Sequence, residues 1–423
     1  MKRGFYTIMA AQFCSSLADN ALFVVAVELL RSGGAAEWQQ AALVPMFALF
    51  YVLLAPWVGA FADSRPKGRV MFVSNAIKVV GCLAMLFGSH PLLAYAIVGL
   101  GAAAYSPAKY GILTELLPPS MLVKANGWIE GLTITSIILG VVLGGQIVDA
   151  NLWRSVMGWG LPGLDKPVHC ALALLILVYV VAAIFNMRIP RTTAVLRPLP
   201  RDQVALLQDF WRCNMRLWRD RLGQISLATT TLFWGVSGNM RYIVLAWAAA
   251  ALNYSTTQAA NLVGVVAVGT AVGAIVASVI MKLDKATWVM PIGIAMGVLL
   301  ALMAWVHTTW LALPMLLALG LLGGFIVVPM NALLQHRGHN LMGAGRSIAV
   351  QNLNEQACIL LLGLAYSVSV NKGLSALGAV LAFGMLVAAL MGLIQLWHAY
   401  NLKHHRRECI RLLAIARSDR THG

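Results

Sequence analysis

Apolar residues recur along this chain in blocks of about 20 to 30 positions, separated by short polar punctuation. A helix of about 20 apolar residues crosses the ~30 Å hydrocarbon core of a bilayer. Twelve such blocks can be drawn, at about 6–30, 41–63, 70–89, 91–112, 122–148, 168–188, 224–251, 255–281, 286–307, 310–334, 345–370 and 374–400. The first follows Met1-Lys2-Arg3 but is longer than a signal-peptide core and lacks a cleavage pattern, so it reads as a spanning helix. The longest polar interruption runs from Arg188 to Gly223 and divides the blocks six and six. The pattern predicts an all-α integral membrane protein with an N-terminal six-helix bundle at 1–188, a basic inter-bundle loop at 189–223, a second bundle at 224–400 and a basic tail at 401–423. Within the loop, 202–221 carries Leu206, Leu207, Phe210, Trp211, Leu217 and Trp218 at spacings that suit an amphipathic helix on the membrane surface.

Composition agrees. A mean hydropathy of +0.78 with 11% charged residues in 423 excludes the soluble globular classes. The net charge of +16 would suit nucleic acid, but its distribution argues otherwise. With both termini cytoplasmic, 24 of the 31 Lys and Arg fall on that side and 4 on the other, while Lys78, Lys109 and Arg241 lie within spans (24 + 4 + 3 = 31). That bias is the positive-inside signature and implies attraction to anionic lipid, not to nucleic acid. The six cysteines form no CxxC pair, and the histidines scatter, with His336 and His339 in a basic stretch, so neither a disulfide framework nor a metal site is expected. The chain has no phosphate-binding GxxxxGK[ST], no HxxxxD acyltransferase motif, no paired catalytic carboxylates and no Ser-His-Asp set. Neither an ATP-driven pump nor an enzyme is expected, and no cofactor.

The segment from Gly59 to Arg69, GAFADSRPKGR, follows the second span. It resembles the signature loop of the major facilitator superfamily: Gly, Asp four residues on, then a short turn ending in Gly-Arg. Gly59 would allow close helix approach, and Asp63 would cap the next helix or pair with Arg69, latching the two halves on the cytoplasmic side. The equivalent loop of the second half, Lys282-Leu283-Asp284-Lys285, is degenerate.

Polar residues inside the spans carry the chemistry. The first span contains SSLADNALF, and a carboxylate near the bilayer centre costs about 2.5–3.5 kcal/mol on insertion scales, so it needs compensation. At 3.6 residues per turn Gln12, Ser15 or Ser16, and Asp19 share a stripe, with Asn20 beside it. In the seventh span Thr230, Trp234, Ser237 and Arg241 share another. The first and seventh helices of the superfamily line its central cavity, so Asp19 and Arg241 are expected to face one another or the same water-filled space. In the fourth span Tyr105 and Lys109 flank Pro107, with Lys109 either a cavity cation or a snorkelling residue. Glu130 shares a stripe with Asn126 and Thr133, and Lys78 lies at similar depth, where it would neutralise Glu130. Glu355 stands in the polar run QNLNEQ of the eleventh span and would border the cavity. Gly140 and Gly144, and Gly269 and Gly273, are pairs four apart that permit close helix contact. In this architecture they would lie at a seam between halves, where a lateral opening to lipid would form.

Four stretches, SLADNALF, AAAYSPAKYGILTEL, VKANGWIE and FWGVSGNMRYIVLAW, together resemble the bacterial lysophospholipid transporter family within that superfamily. The resemblance implies a Gram-negative inner-membrane flippase. Such a protein moves lysophospholipids, for example lysophosphatidylethanolamine, from the outer to the inner leaflet. There an acyltransferase/acyl-carrier-protein synthetase reacylates them. Matched by motif, it implies roles for Asp19, Asn20, Lys109, Glu130 and Arg241, and more weakly for Glu355. The chemistry suits a zwitterionic head group: Arg241 offers a planar bidentate phosphate donor, Lys109 a second cation, and Asp19 an acceptor for the ammonium. The alternative is a proton-coupled drug or metabolite antiporter, whose fifth helix would pair glycines with a proline; GVVLGGQIVD has the glycines alone.

Overall fold

The computed structural model describes residues 3–35, 37–157, 164–192, 194–199, 202–254 and 256–417. The side chain of Arg241 lies outside the described set. Among the described residues the regular structure is helical. The first half runs α1 Arg3–Ser32, α2 Glu37–Leu53, α3 Ala55–Ser64, α4 Lys67–Leu86, α5 Pro91–Leu116, α6 Pro119–Ile147, α7 Ala150–Met157 and α8 Pro167–Met187. It continues with α9 Gln203–Arg219, α10 Gly223–Leu252, α11 Thr256–Ile280, α12 Met290–Leu302, α13 Thr309–Met342, α14 Ala344–Asn371, α15 Ala376–His404 and α16 Arg406–Arg417.

Ten of these elements are long and apolar enough to cross a membrane among the described residues, or eleven if α2 and α3, bent 63° to each other, form one broken span. The remaining expected span coincides with α10, a helix of 30 residues. The ninth expected span opens as a short 3-10 helix, Leu283–Val289, before α12. The loop helix forms as α9, with Leu206, Phe210, Cys213 and Leu217 buried on one side and Val204, Trp211 and Met215 exposed on the other.

Two compact units emerge, and they cut across the two sequence halves. The first comprises Met1–Glu115, Thr135–Phe210 and Gly343–Val350. The second comprises Leu116–Ile134, Trp211–Met342 and Gln351–Gly423. The opening part of α6 thus belongs with the second unit, and the first turns of α14 with the first.

Within the first unit, α1 packs on α8 and α4 on α8. Ala18, Leu22, Val25, Val98, Leu172 and Tyr179 are buried in its apolar core. A Cβ on Gly140 would stand 2.7 Å from Asn20 Cβ, and one on Gly144 2.9 Å from Ala21 O, so these two glycines seat α6 directly on α1. Within the second unit, Gly269 and Gly273 of α11 lie against the backbone of Leu317 and Leu321 on α13, while Gly320 and Gly324 of α13 lie against Val266 and Thr270 on α11. The spacing does permit backbone contact, as small residues do in membrane helices. The partners it selects are α1 and α13.

Candidate functional site

The first unit contains a buried ionic cluster centred on α1. Asp19 and Ser15 stand one turn apart, so both side chains leave the same face. Asn75 and Lys78 do the same on α4. Lys78 Nζ lies 2.7 Å from Asp19 Oδ2 and donates to Ser15 Oγ at 2.9 Å. Ser15 donates in turn to Asn75 Oδ1 at 2.8 Å. Tyr179 of α8 donates its hydroxyl to the other carboxylate oxygen of Asp19 at 2.6 Å. The ammonium also sits 5.1 Å from the ring centre of Tyr105 and 5.6 Å from that of Tyr179, within cation–π range. Gly101 makes room for the lysine stem: a Cβ there would fall 2.6 Å from Lys78 Cγ. The Lys78 side chain is 1% exposed and that of Asp19 18%, so the carboxylate alone of the pair presents an open edge.

This geometry corrects one expectation. Lys78 pairs with Asp19, where neutralisation of Glu130 was expected. The reason is that α4 delivers Lys78 to the Asp19 face of α1, whereas similar depth says nothing about which neighbour a side chain faces. Asp19 takes Lys78 as its cation, while the expectation that it faces Arg241 or shares a water-filled space with it falls on a side chain outside the described residues.

Glu130 belongs to the second unit. It accepts from Asn331 Nδ2 of α13 at 3.4 Å. Gln351 of α14 donates to both Asn331 Oδ1, at 2.9 Å, and Glu355 Oε1, at 2.7 Å. One turn away, Asn126 and Gln335 exchange reciprocal amide hydrogen bonds of 3.0 and 2.9 Å. All six side chains are buried. The result is a ladder of amides with a carboxylate at either end. Sequence reading missed Asn331 and Gln335, although their four-residue spacing two positions after Pro329 was visible.

A third cluster organises the end of the molecule bearing the 65–69 loop. Asp63 accepts the backbone N–H groups of Gly345 and Arg346, at 2.7 and 3.0 Å, and so caps the first turn of α14. It is ion-paired with Lys67 at 3.0 Å and Arg346 at 3.5 Å. Lys67 also reaches Glu115 at 3.3 Å, and Arg346 reaches Asp209 of α9 at 2.8 Å. Gly59 lets α3 approach α14, since a Cβ there would meet Ala349 Cβ at 2.7 Å. Gly343, at φ +92°, makes the left-handed step between α13 and α14. The cap therefore falls on α14, not on the next helix, and Asp63 pairs with Lys67 and Arg346, not with Arg69, which is exposed. The capped turn lies 282 residues away in sequence, so no local pattern announces it.

The remaining expected residues are placed individually. Lys109 is half-buried with its ammonium 4.3 Å from the Tyr110 ring centre. Asn20 is half-buried and donates to Ser16 O at 2.8 Å. Trp234 is half-buried and meets Phe233 edge-on, ring centres 5.3 Å apart. No group of three or more metal-ligating side chains occurs among the described residues.

A bundle of long apolar helices with ionic and amide clusters inside it is the build of a multi-pass membrane transporter. The family model described as Major Facilitator Superfamily matches residues 8–353, and the chain belongs to that superfamily. Among solved structures, the fucose:proton symporter FucP of E. coli aligns over 94% of this chain and 98% of its own, with a TM-score of 0.70 at 14% identity. The human organic anion transporter MFSD10 aligns over 93% and 100%, with a TM-score of 0.72 at 16% identity. These establish the fold alone. Much closer in sequence is the lysophospholipid transporter LplT of Yersinia enterocolitica, 41% identical over 374 residues, which are 88% of this chain and 89% of that one. The lysophospholipid transporter LplT of Salmonella arizonae is 39% identical over 396 residues, 93% and 96% of the two chains.

Proposed function

We propose that this protein is a lysophospholipid transporter of a Gram-negative inner membrane, with both termini cytoplasmic. It moves lysophospholipids such as lysophosphatidylethanolamine from the outer to the inner leaflet by alternating access, with the acyl chain kept in lipid at a lateral opening. The observation that carries this reading is the 39–41% identity to lysophospholipid transporters over about nine-tenths of the chain. The 24-to-4 distribution of basic residues supports the orientation.

A lysophosphatidylethanolamine head group bears one phosphate anion and one ammonium. Lys109 and Arg241 supply cations for the phosphate, Arg241 with a planar bidentate fork. The open edge of Asp19 accepts from the ammonium, with Asn20 beside it on α1, and Tyr105 and Trp234 offer aromatic surface to the substrate. Glu130 and Glu355 act through the amide ladder, which holds them buried. The clasp of Asp63 on α14 supplies a latch on the cytoplasmic side, because breaking it exposes a helix N-terminus and several charges at once. Product arriving in the inner leaflet is a substrate for an acyltransferase/acyl-carrier-protein synthetase, and that consumption would draw net flow.

The test is reconstitution with labelled lysolipid and, separately, a cationic drug. Faster leaflet exchange of lysolipid than in protein-free vesicles supports the reading; drug movement that follows a proton gradient, without lysolipid exchange, replaces it by the antiporter alternative. Arg241→Ala should depress lysolipid exchange while membrane insertion persists, and undiminished exchange would remove Arg241 from the phosphate site.

A further inference from the structure

α9 carries more apolar surface than its packing uses. Leu206, Phe210, Cys213 and Leu217 are buried against the protein. Val204, Leu207, Trp211 and Met215, at spacings of three and four, form a second stripe that faces outward, with Val204 61% and Trp211 55% exposed. At 3.6 residues per turn Arg212, Arg216 and Arg219 lie on a third face, about a quarter of a turn from that stripe, and all three are exposed. Two carboxylates that could neutralise them are paired elsewhere, Asp209 with Arg346 at 2.8 Å and Asp220 with Arg337 at 2.6 Å. The segment leading into the helix exposes Val195, Leu196 and Leu199 as well. The same helix is fastened to the clasp of the first unit. Arg346, held by Asp209, gives its backbone N–H to Asp63 at 3.0 Å and brings its guanidinium within 3.5 Å of that carboxylate. Gln203 accepts from Trp57 Nε1 of α3 at 2.6 Å.

We propose that α9 is a strap anchored by anionic phospholipid of the cytoplasmic leaflet, with its outer stripe among the acyl chains and Arg212, Arg216 and Arg219 on the lipid phosphates, and that bound lipid tightens the Asp63–Arg346 clasp. An exposed apolar stripe needs oil, and exposed arginines beside it need anions at the edge of that oil. A bilayer with anionic head groups offers both side by side, and arginine stems reach from one to the other. A zwitterionic lipid carries its own ammonium against its phosphate. An anionic lipid leaves its charge to the protein, and each arginine near such a surface is worth about fivefold in partitioning. With α9 fixed at the interface, Asp209 stays against Arg346, and Arg346 stays on Asp63. The choice of leaflet rests on the orientation proposed above. In a nanodisc with the same lipid on both sides, the binding does not.

The full chain is placed in nanodiscs of phosphatidylcholine, alone or with phosphatidylglycerol, and amide hydrogen exchange is followed over residues 343–350, the clasped turn of α14. Wild type is expected to exchange there about fivefold or more slowly when phosphatidylglycerol is present. Replacing all three arginines of α9, by Arg212→Gln, Arg216→Gln and Arg219→Gln together, should abolish that difference. An equal charge loss on α16, by Arg406→Gln, Arg407→Gln and Arg411→Gln, should leave it in place. Phosphatidylglycerol brominated on its acyl chains should quench tryptophan fluorescence more in wild type than in Trp211→Phe. Equal exchange in the two lipids overturns the inference, as does a difference that survives the loss of the α9 arginines or disappears equally with those of α16. Quenching that is the same in wild type and Trp211→Phe puts the stripe in water, where it suits an acidic protein, and also overturns the inference. If the α9 triple variant does not fold, Met215→Glu decides. A carboxylate in the stripe should remove the response to phosphatidylglycerol, and a retained response overturns the inference. If wild type moves no lysolipid, the function proposed above fails while exchange and quenching still read α9.

Discussion

The buried polar clusters of the two units solve the same problem in different ways. In the first unit a carboxylate inside the membrane is compensated by a full opposite charge, Asp19 by Lys78 at 2.7 Å, with Ser15 and Tyr179 satisfying what remains. In the second, Glu130 and Glu355 are tied together by Asn331 and Gln351, and amides supply the donors. An ionic solution is rigid in identity: each partner needs the other's charge. An amide ladder is forgiving, because Asn and Gln carry both donor and acceptor and can be re-oriented. The difference teaches which substitutions each cluster tolerates.

The largest expected effect is Asp19→Asn, which leaves the Lys78 ammonium buried without a counter-charge. Stability should fall by about 3–5 kcal/mol, read as loss of folded protein in detergent thermal unfolding. Pairing Asp19→Leu with Lys78→Met should recover much of that loss, since replacing both members of a buried ion pair by apolar groups is often near neutral. Gly101→Ala comes next. Its methyl group collides with the Lys78 stem and with Ser74 O, each at 2.6 Å, and should cost about 1–3 kcal/mol by forcing α4 and α5 apart. In the second unit, Gln335→Leu leaves the Asn126 amide buried and unpaired, for about 1–3 kcal/mol, while the double change with Asn126→Leu should cost less than the single one. Glu355→Gln should be smaller still, about 1 kcal/mol or less, because an amide oxygen can accept the same hydrogen bond from Gln351. If Glu355→Gln proves as damaging as Asp19→Asn, the two clusters do not differ in kind.

Much of this was legible in the sequence, and what was not has a physical reason. Apolar run length gave the spans, since the bilayer thickness dictates it. The Gly59–Asp63 spacing marked the signature loop, and the alternation of Leu206, Phe210 and Leu217 marked α9. The presence of Asp19 and Lys78 in spans signalled that each needs a partner. Their mutual pairing was not legible, because helix periodicity fixes which residues share a face and leaves open which helix that face meets. Depth placed Lys78 beside Glu130; the packing of α1 and α4 on α8 brought it to Asp19 instead. Asp63 shows the same limit, since its cap lies on α14, far along the chain.

The most direct test of the whole account is albumin back-extraction of fluorescent lysophosphatidylethanolamine from vesicles containing the wild-type protein. The account predicts that the label leaves the accessible leaflet many times faster than in protein-free vesicles, and that Asp19→Asn removes most of that gain. Equal rates with and without protein, under conditions where the protein is folded and inserted, would contradict it.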